Sequence, residues 1–167
     1  MTYREDIVPE GYKAFWIAVG GLKGGHSGID IHLGRGNANR ILFRLLRKCE
    51  REYGLRLASV DGGGLRNAIP REATATVVVP DAVSDVFRTL AAGLESVLKE
   101  EFRGVDDAVT VRITDARRPD SLIDPQSQRQ LIRAVRGCPD GVIRMNPSMP
   151  GLVQTSSNLA RVTAGSG

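Results

Sequence analysis

Apolar residues recur along the chain with two different spacings, one typical of strands and the other typical of helices. Residues 12–19 are rich in β-branched and aromatic side chains, which predicts a mostly buried strand. From Ala38 to Cys49 the apolar positions recur every three or four residues, which predicts a helix that Gly54 ends. Cys49 lies on the apolar stripe of this helix, so we expect it to be a reduced thiol in the core.

Two further segments predict strands by alternation or by β-branched content. Residues 55–60 alternate, which would place Leu57 and Ser59 on one face of a strand and Val60 on the other. A run of three glycines then interrupts the pattern. Residues 73–80 are rich in threonine and valine and end at a proline, which predicts a second strand after the glycines.

The next apolar positions return to helical spacing, and Asp81 stands where it could cap such a helix. The expected apolar stripe of this second helix consists of Val83, Val86, Phe87, Leu90, Leu94, Val97 and Leu98. Residues 108–114 alternate again and predict a fourth strand. The resulting order, β-α-β-β-α-β, predicts an α+β fold of the ferredoxin-like kind, a two-layer sandwich with both helices on one face of an antiparallel sheet.

The remaining residues predict one more helix and two more strands. Asp124 precedes a proline, the combination typical of an N-cap and the first helical position, so a helix is expected over residues 125–136. Residues 141–146 and 151–162 are expected to form two strands around a turn. The predicted division is therefore a ferredoxin-like core and an appended segment, residues 8–115 and 116–167.

Composition and charge restrict the classes of function. The chain has 167 residues with a net charge of +4, and its basic residues are dispersed rather than gathered on one segment. A nucleic-acid surface would combine a basic face with aromatic side chains, so this pattern favours an ordinary solvated surface. The N-terminal residues lack the apolar core of a signal peptide, and no run of about 20 apolar residues suggests a membrane span. We therefore expect a cytoplasmic protein that binds neither nucleic acid nor membrane.

Both histidines of the chain lie in one glycine-rich stretch, GLKGGHSGIDIH, residues 21–32. On an extended strand, His26, Asp30 and His32 would share a face and could begin a metal site, although zinc sites need three or four converging ligands. Alternatively, the glycines could present backbone N–H groups to an anion ahead of the helix. A third possibility is that His26 donates a hydrogen bond to developing charge, and a fourth is that it only caps the loop.

A second polar loop, GGGLRNAIPREA over residues 62–73, contains Asn67. The amide of Asn67 could contact a ligand or could satisfy the backbone of a turn. In the predicted topology we expect this loop and the glycine-rich loop to leave opposite ends of the sheet. His26 and Asn67 would then meet only if the glycine-rich loop folded back. No nucleophile elbow or set of paired carboxylates accompanies them, so the chain is not expected to form a complete catalyst alone.

Three long motifs connect the chain to a known family. The segments GLKGGHSGIDIHLGRGNANRIL, LASVDGGGLRNAIPREATATVVVP and GVIRMNPSMPGLVQTSSNL resemble aminoacyl-histidine dipeptidases, the carnosinase-like zinc peptidases of bacteria. The resemblance extends over about residues 8–159. It implies the lid and dimerisation region of such an enzyme, inserted into a catalytic domain that holds two zinc ions. The zinc-ligand motifs of that domain do not occur here, so no cofactor is expected in this chain. The lid is expected to stop before a later substrate-binding arginine.

The resemblance also implies roles for individual residues. His26 matches the histidine that stabilises the oxyanion of the tetrahedral intermediate, and Asn67 matches a residue that contacts the substrate. His32 has no implied role and is expected to be structural. The implied partners are the catalytic domain, a second copy of the lid in a homodimer and an Xaa-His dipeptide. The alternative is a stand-alone ferredoxin-like module for an anion or nucleic acid, which an expected lack of aromatic side chains on the sheet face disfavours.

Overall fold

A five-stranded antiparallel sheet forms the centre of the computed structural model, which describes residues 3–165. Its strands, in spatial order, are β11 (Val162–Ala164), β4 (Arg56–Gly62), β6 (Ala73–Pro80), β2 (Tyr12–Gly20) and β7 (Thr110–Asp115). The other strands form three local pairs, β1 (Glu5–Asp6) with β8 (Leu122–Ile123), β3 (Gly25–His26) with β5 (Ala68–Ile69), and β9 (Gly141–Met145) with β10 (Val153–Ser157). The helices are α1 (Ala38–Tyr53), α2 (Ser84–Glu101) and α3 (Pro125–Gly137).

The order β4-β6-β2-β7, with α1 and α2 packed on the sheet, confirms the predicted ferredoxin-like sandwich. The core between the two layers is aliphatic with a few phenylalanines, and the rings of Phe15 and Phe87 lie 5.2 Å apart. The fifth strand, β11, was not expected to join this sheet. The strand expected over residues 151–162 is divided into β10 and β11 by a bend, where Leu159 N–H donates to the carboxylate of Asp140.

The sequence predicts that Gly54 ends α1 and that Asp81 and Asp124 cap α2 and α3. The structure confirms the predictions at Gly54 and Asp124. The side chain of Asn37 accepts hydrogen bonds from the first turn of α1, and Gly54 ends this helix in the left-handed conformation at φ 66°. Asp124 caps α3 in the same way. The prediction that Asp81 caps α2 is wrong. A 3-10 turn, Asp81–Val83, precedes this helix, and no side chain of residues 3–165 caps it.

The predicted apolar stripe of α2 is only partly buried. Phe87 and Leu98 are fully enclosed, but Val86 and Val97 are 50% and 46% exposed. Helix α2 packs chiefly on β7, which is an edge strand. The sheet therefore covers less of the surface of α2 than it would beneath a central strand. Val86 and Val97 therefore remain on the exposed surface of α2, away from the side that carries Arg88 and Glu95 next to β7.

The predicted alternation in β4 is broken by an irregularity in its pairing with β6. The register shifts between Leu57 and Ser59, where the intervening Ala58 is an extra residue on the β4 side. As a result Leu57 and Val60 both enter the main core, although strict alternation would separate them. Ala58 instead joins a small apolar cluster with Val78.

The sheet face opposite the helices carries an exposed aromatic residue, so the expectation of a face without aromatics is wrong. Trp16 lies at the middle of this face, opposite Thr76 on one neighbouring strand and Thr114 on the other, and is 41% exposed. The alternation of β2 requires this placement, because Phe15 and Ile17 point into the core.

Cys49 is a free thiol in the core, as predicted. Burial, with a smaller contribution from Glu52, raises its pKa to about 12. The thiol is therefore held in its neutral form. Within the described residues, no helix combines the length and the apolar character that a membrane crossing requires.

Candidate functional site

A two-residue ladder brings the two predicted site loops together. Strand β3 pairs with β5 so that Gly25 lies opposite Ile69 and His26 opposite Ala68. The chain continues this contact by one residue, because Ser27 N–H donates to the backbone carbonyl of Asn67 at 2.8 Å. His26 and Asn67 are therefore neighbours across the ladder, and both are exposed to solvent.

The prediction that these loops leave opposite ends of the sheet is wrong. Strands β2 and β4 are both antiparallel to β6, so they run parallel to each other and their carboxyl ends reach the same end of the sheet. The glycine-rich loop leaves the end of β2, and the loop with Asn67 leaves the end of β4. The split βαβ topology itself therefore brings the two loops together.

The backbone around His26 forms a tight turn that also holds the imidazole ring. Gly28 N–H donates to Nδ1 of His26 at 3.0 Å, and Asp30 N–H donates to the carbonyl of His26 at 2.7 Å. In return the carboxylate of Asp30 accepts a hydrogen bond from His26 N–H at 2.9 Å. With Nδ1 occupied by a backbone donor, Nε2 is the ring nitrogen that can bind a ligand.

This turn does not fit the metal hypothesis. Asp30 lies in the turn rather than on a strand, and its carboxylate is 3.3 Å from the guanidinium of Arg35. His32 lies on a separate 3-10 turn, Ile31–Leu33. Among residues 3–165, no three or more His, Cys, Asp or Glu side chains are grouped closely enough to hold a metal ion. The assumption that His26, Asp30 and His32 share one face of a strand is therefore wrong.

The anion hypothesis fails at the start of α1, because the first N–H groups of the helix already have partners. Ala38 N–H donates to the carbonyl of Pro70 at 2.9 Å. The next two N–H groups, of Asn39 and Arg40, donate to the side-chain oxygen of Asn37. Asn37 itself is only 5% exposed, so the helix end is closed to a phosphate.

Asn67 uses its backbone rather than its side chain to hold the turn. Its carbonyl accepts from Ser27, while its side-chain amide makes no hydrogen bond to the described part of the chain. The neighbouring carbonyl of Ala68 is held by the side chain of Asn158 at 2.8 Å. The segment before β11 therefore supports the ladder and leaves the amide of Asn67 available to a ligand.

His26 and Asn67 lie on an open surface and not in an enclosed pocket. A groove of about 570 Å³ runs beside them between the glycine-rich loop and the end of β4, and Lys23, Asp61 and Arg71 are among its lining residues. Neither His26 nor Asn67 lines this groove. The arrangement can offer hydrogen bonds to a molecule held by another body, but it does not surround a small molecule itself.

The sequence did not single out the residues that support the site. Asp106 is fully buried and accepts two backbone hydrogen bonds from the glycine-rich loop, whereas the adjacent Asp107 is exposed. Two consecutive aspartates between a helix and a strand carry no signal that distinguishes one from the other. Asn158, which supports the ladder from the segment before β11, is likewise an ordinary loop residue by pattern.

Comparison with known proteins gives the family. Residues 17–106 match the model of a family described as the peptidase dimerisation domain. The cytosol non-specific dipeptidase of Escherichia coli strain K12 is 39% identical over 158 residues, which are 95% of this chain and 33% of that protein.

A solved structure gives the same assignment. The crystal structure of aminoacylhistidine dipeptidase from Vibrio alginolyticus matches with a TM-score of 0.95 at 36% identity, over 98% of this chain and 34% of that one. The chain thus spans about a third of the length of both relatives. The resemblance found in the sequence motifs is confirmed, and the chain belongs to the family of peptidase dimerisation domains.

Proposed function

We propose that this chain is the lid and dimerisation region of a dipeptidase and that it supplies residues to an active site built mainly by the rest of the parent enzyme. The observation that carries the proposal is the β3–β5 ladder, which brings the backbones of the His26 and Asn67 segments together while both residues stay exposed. The family assignment supports the same proposal, as does the fact that this chain spans about a third of the length of each relative.

His26 acts in this proposal as a hydrogen-bond donor to the transition state. Hydrolysis of a peptide bond passes through a tetrahedral species whose carbonyl oxygen becomes negative, and a donor aimed at that oxygen stabilises it selectively. Nδ1 of His26 accepts from Gly28 N–H, so Nε2 is the atom that donates. Donors of this kind contribute about 10²–10³ in kcat.

Asn67 acts in this proposal on the bound substrate. A side-chain amide has two N–H donors and a carbonyl acceptor, so it can contact both the peptide group and the terminal carboxylate of a dipeptide. The carbonyl of Asn67 accepts from Ser27 N–H, which keeps Asn67 next to the turn that carries His26. Xaa-His dipeptides are the proposed substrates, in keeping with the name of the Vibrio relative.

The two zinc ions of the proposed parent enzyme belong to its catalytic part and not to this chain. The candidate ligands here are engaged otherwise, with His26 Nδ1 bound to Gly28 and Asp30 paired with Arg35. When bound, such metal ions polarise the scissile carbonyl and activate water. We further propose that the parent is cytoplasmic, as the name of the Escherichia coli relative states for that protein.

The decisive experiment measures steady-state kinetics of the full-length parent with β-alanyl-histidine as substrate. His26→Ala is expected to lower kcat by about 10²–10³, because it removes a transition-state donor. Asn67→Ala is expected to act mainly on KM, because it removes a contact that the ground state also makes. His32→Ala is the matched control, since it removes the other histidine of the same loop and should leave both constants near wild type. A kcat near the wild-type value in His26→Ala would contradict the proposal.

A further inference from the structure

The glycine-rich loop that carries His26 begins and ends on one buried carboxylate. Asp106 is 0% exposed, and its Oδ1 accepts from Lys23 N–H at 2.7 Å while its Oδ2 accepts from Gly36 N–H at 2.7 Å. Each oxygen holds one end of the loop, so the base of the loop is closed across a single side chain. Hydrogen bonds to an ionised group are roughly twice as strong as neutral ones, which makes this closure firm.

A second connection inside the loop reaches the backbone of His26. Arg35 donates to the carbonyl of Gly24 at 2.6 Å and lies 3.3 Å from Oδ2 of Asp30. The same Oδ2 atom accepts from His26 N–H. Arg35, one residue before the Gly36 anchor, is thus joined through Asp30 to the residue that bears the imidazole.

Gly25 shows how closely this connection fits the backbone. Its φ is 145°, a conformation that side chains rarely adopt, and a Cβ there would lie 2.4 Å from the guanidinium of Arg35 and 2.6 Å from Asp30 Oδ2. The glycine therefore allows the Asp30–Arg35 pair to press directly against the turn of His26. The pair is partly shielded, with 27% of the Asp30 side chain and 24% of the Arg35 side chain exposed.

The last contact fixes the orientation of the imidazole ring of His26. Gly28 N–H points at Nδ1 of His26 at 3.0 Å, and a backbone N–H can only donate. In a neutral ring the proton must then lie on Nε2, which faces away from the turn. The ring orientation and its tautomer are both fixed by the turn, and the turn is fixed by the two connections described above.

We propose that Asp106 and the Asp30–Arg35 pair are positioning residues for His26, which hold the glycine-rich loop so that the neutral imidazole offers its Nε2–H outward. The value of this arrangement to catalysis rests on the proposed function of His26, but the arrangement itself is a property of this chain. Asp106 lies 80 residues from His26 in sequence and touches only the backbone of the loop.

The test uses NMR on this chain, whose two histidines give two resolvable ring signals. In the wild type, His26 is expected to show the Nε2–H tautomer and a rigid ring by ¹³C relaxation of its Cε1–H group. Asp106→Asn keeps the shape but offers one acceptor oxygen and places an NH₂ group against the other N–H. Amide exchange at Lys23 and Gly36 is then expected to accelerate by about tenfold or more, and the ring of His26 to become mobile.

The control is Gln128→Met, a similar-sized change that removes a different buried polar contact. Gln128 is 2% exposed and holds Leu57 N–H at 2.7 Å, far in sequence from the glycine-rich loop. This variant is expected to be less stable overall yet to leave the His26 ring rigid. Unchanged exchange at Lys23 and Gly36 with a rigid His26 in Asp106→Asn would overturn the proposal.

Two additions keep the test decisive. If Asp106→Asn does not fold, Arg35→Gln at the more exposed inner connection must still accelerate exchange at His26 N–H, and normal exchange there overturns the proposal.

In the full-length parent, Asp106→Asn is expected to lower kcat with little change in KM, and to have no further effect in a His26→Ala background. If His26 is not catalytic, kcat will not change but the NMR effects will remain, so the two failures are distinguishable.

Discussion

At the scale of single residues, two glycines show how the same substitution should have opposite effects. A Cβ on Gly62 would lie 1.9 Å from Oδ1 of Asn39 and 2.8 Å from Cβ of Ala73. Asn39 cannot swing away, because it is fully buried and its amide nitrogen is bound to the carbonyl of Leu159 at 3.0 Å. Gly93 is on the exposed side of α2, and beyond the helix's own backbone no atom of the described residues lies within 4 Å of the same position.

We therefore expect Gly62→Ala to destabilise the fold by about 1–3 kcal/mol through overpacking. Gly93→Ala is expected to stabilise it by up to about 1 kcal/mol, because alanine loses less backbone entropy in a helix. Urea unfolding followed by circular dichroism measures both free energies. Equal effects of the two substitutions would show that local space at Gly62 does not control stability.

The residues that the sequence predicted well are those whose role is local. Cys49 was placed in the core by its position on a helical stripe, and Gly54 was placed at the end of the same helix. Asp106 could not be found this way, because its partners Lys23 and Gly36 are 83 and 70 residues away. Burial of one aspartate rather than its neighbour depends on the tertiary fold alone.

At the scale of elements, the start of α3 predicts a dependence of stability on pH. The hydroxyl of Ser127, followed by backbone N–H groups of the first turn, lowers the pKa of Asp124 from 3.8 to about 2. Because the folded-state pKa is depressed, Asp124 stabilises the fold above its unfolded pKa, and this contribution is lost as pH falls from about 4 to about 2. Protonation there removes the charged cap of the helix.

Asp124→Ala is accordingly expected to lower Tm by about 2–4 °C at pH 7, with a difference from wild type that shrinks toward pH 2. Thermal melts across this pH range give the comparison. Asp120→Ala, at an exposed position before β8, is the control and should follow the wild-type profile. A difference between Asp124→Ala and wild type that stays constant down to pH 2 would contradict the role of the charge.

The sequence predicted an element correctly where one local signal was strong. It missed elements whose formation depends on tertiary contacts. The cap of α3 follows from an Asp-Pro pair, and the central strands follow from their β-branched residues. Strand β11 has only three residues and depends on pairing with β4. The division of the chain at residues 115 and 116 stays a prediction, although β11 returns the appended segment to the main sheet.

At the scale of the whole molecule, the β7 edge of the sheet is the surface we expect to associate. The outward N–H of Val111 is held at 2.9 Å by the carboxylate of Glu95, a side chain and not a neighbouring strand. Among the described residues no strand pairs with the outer side of β7, and an unpaired edge favours pairing with another strand. The family assignment as a dimerisation domain agrees with this expectation.

Ala92→Arg places a charged, bulky side chain in the groove between α2 and β7, which Ala92 lines. It is expected to shift the protein toward monomer in sedimentation velocity at high micromolar concentration. Ala134→Arg makes the same change on the exposed side of α3 and should leave association unchanged. A strict monomer in the unsubstituted protein at that concentration would contradict the homodimer.

At this scale, the prediction that was wrong concerns where the two site loops lie on the sheet. The order of elements correctly gave the ferredoxin-like sheet, but the site loops were expected at opposite ends of it. Parallel β2 and β4 place both loops at one end, so the correct topology already contained the meeting of His26 and Asn67. What the sequence could not supply was the ladder register, which depends on the positive φ of Gly25 and on contacts from Asn158.

The closed base of the β9–β10 hairpin has a consequence for engineering. One carboxylate oxygen of Asp140 accepts from Leu159 N–H at 2.8 Å and from the amide of Asn37 at 2.9 Å, so the chain enters and leaves the hairpin at the same point. Changes in the length of residues 141–157 therefore need not pull on α1 or on the sheet. Because β9 also packs against the 3-10 turn Ile31–Leu33, a grafted epitope or a fluorescent label is best placed in the turn between β9 and β10 and not in the strands.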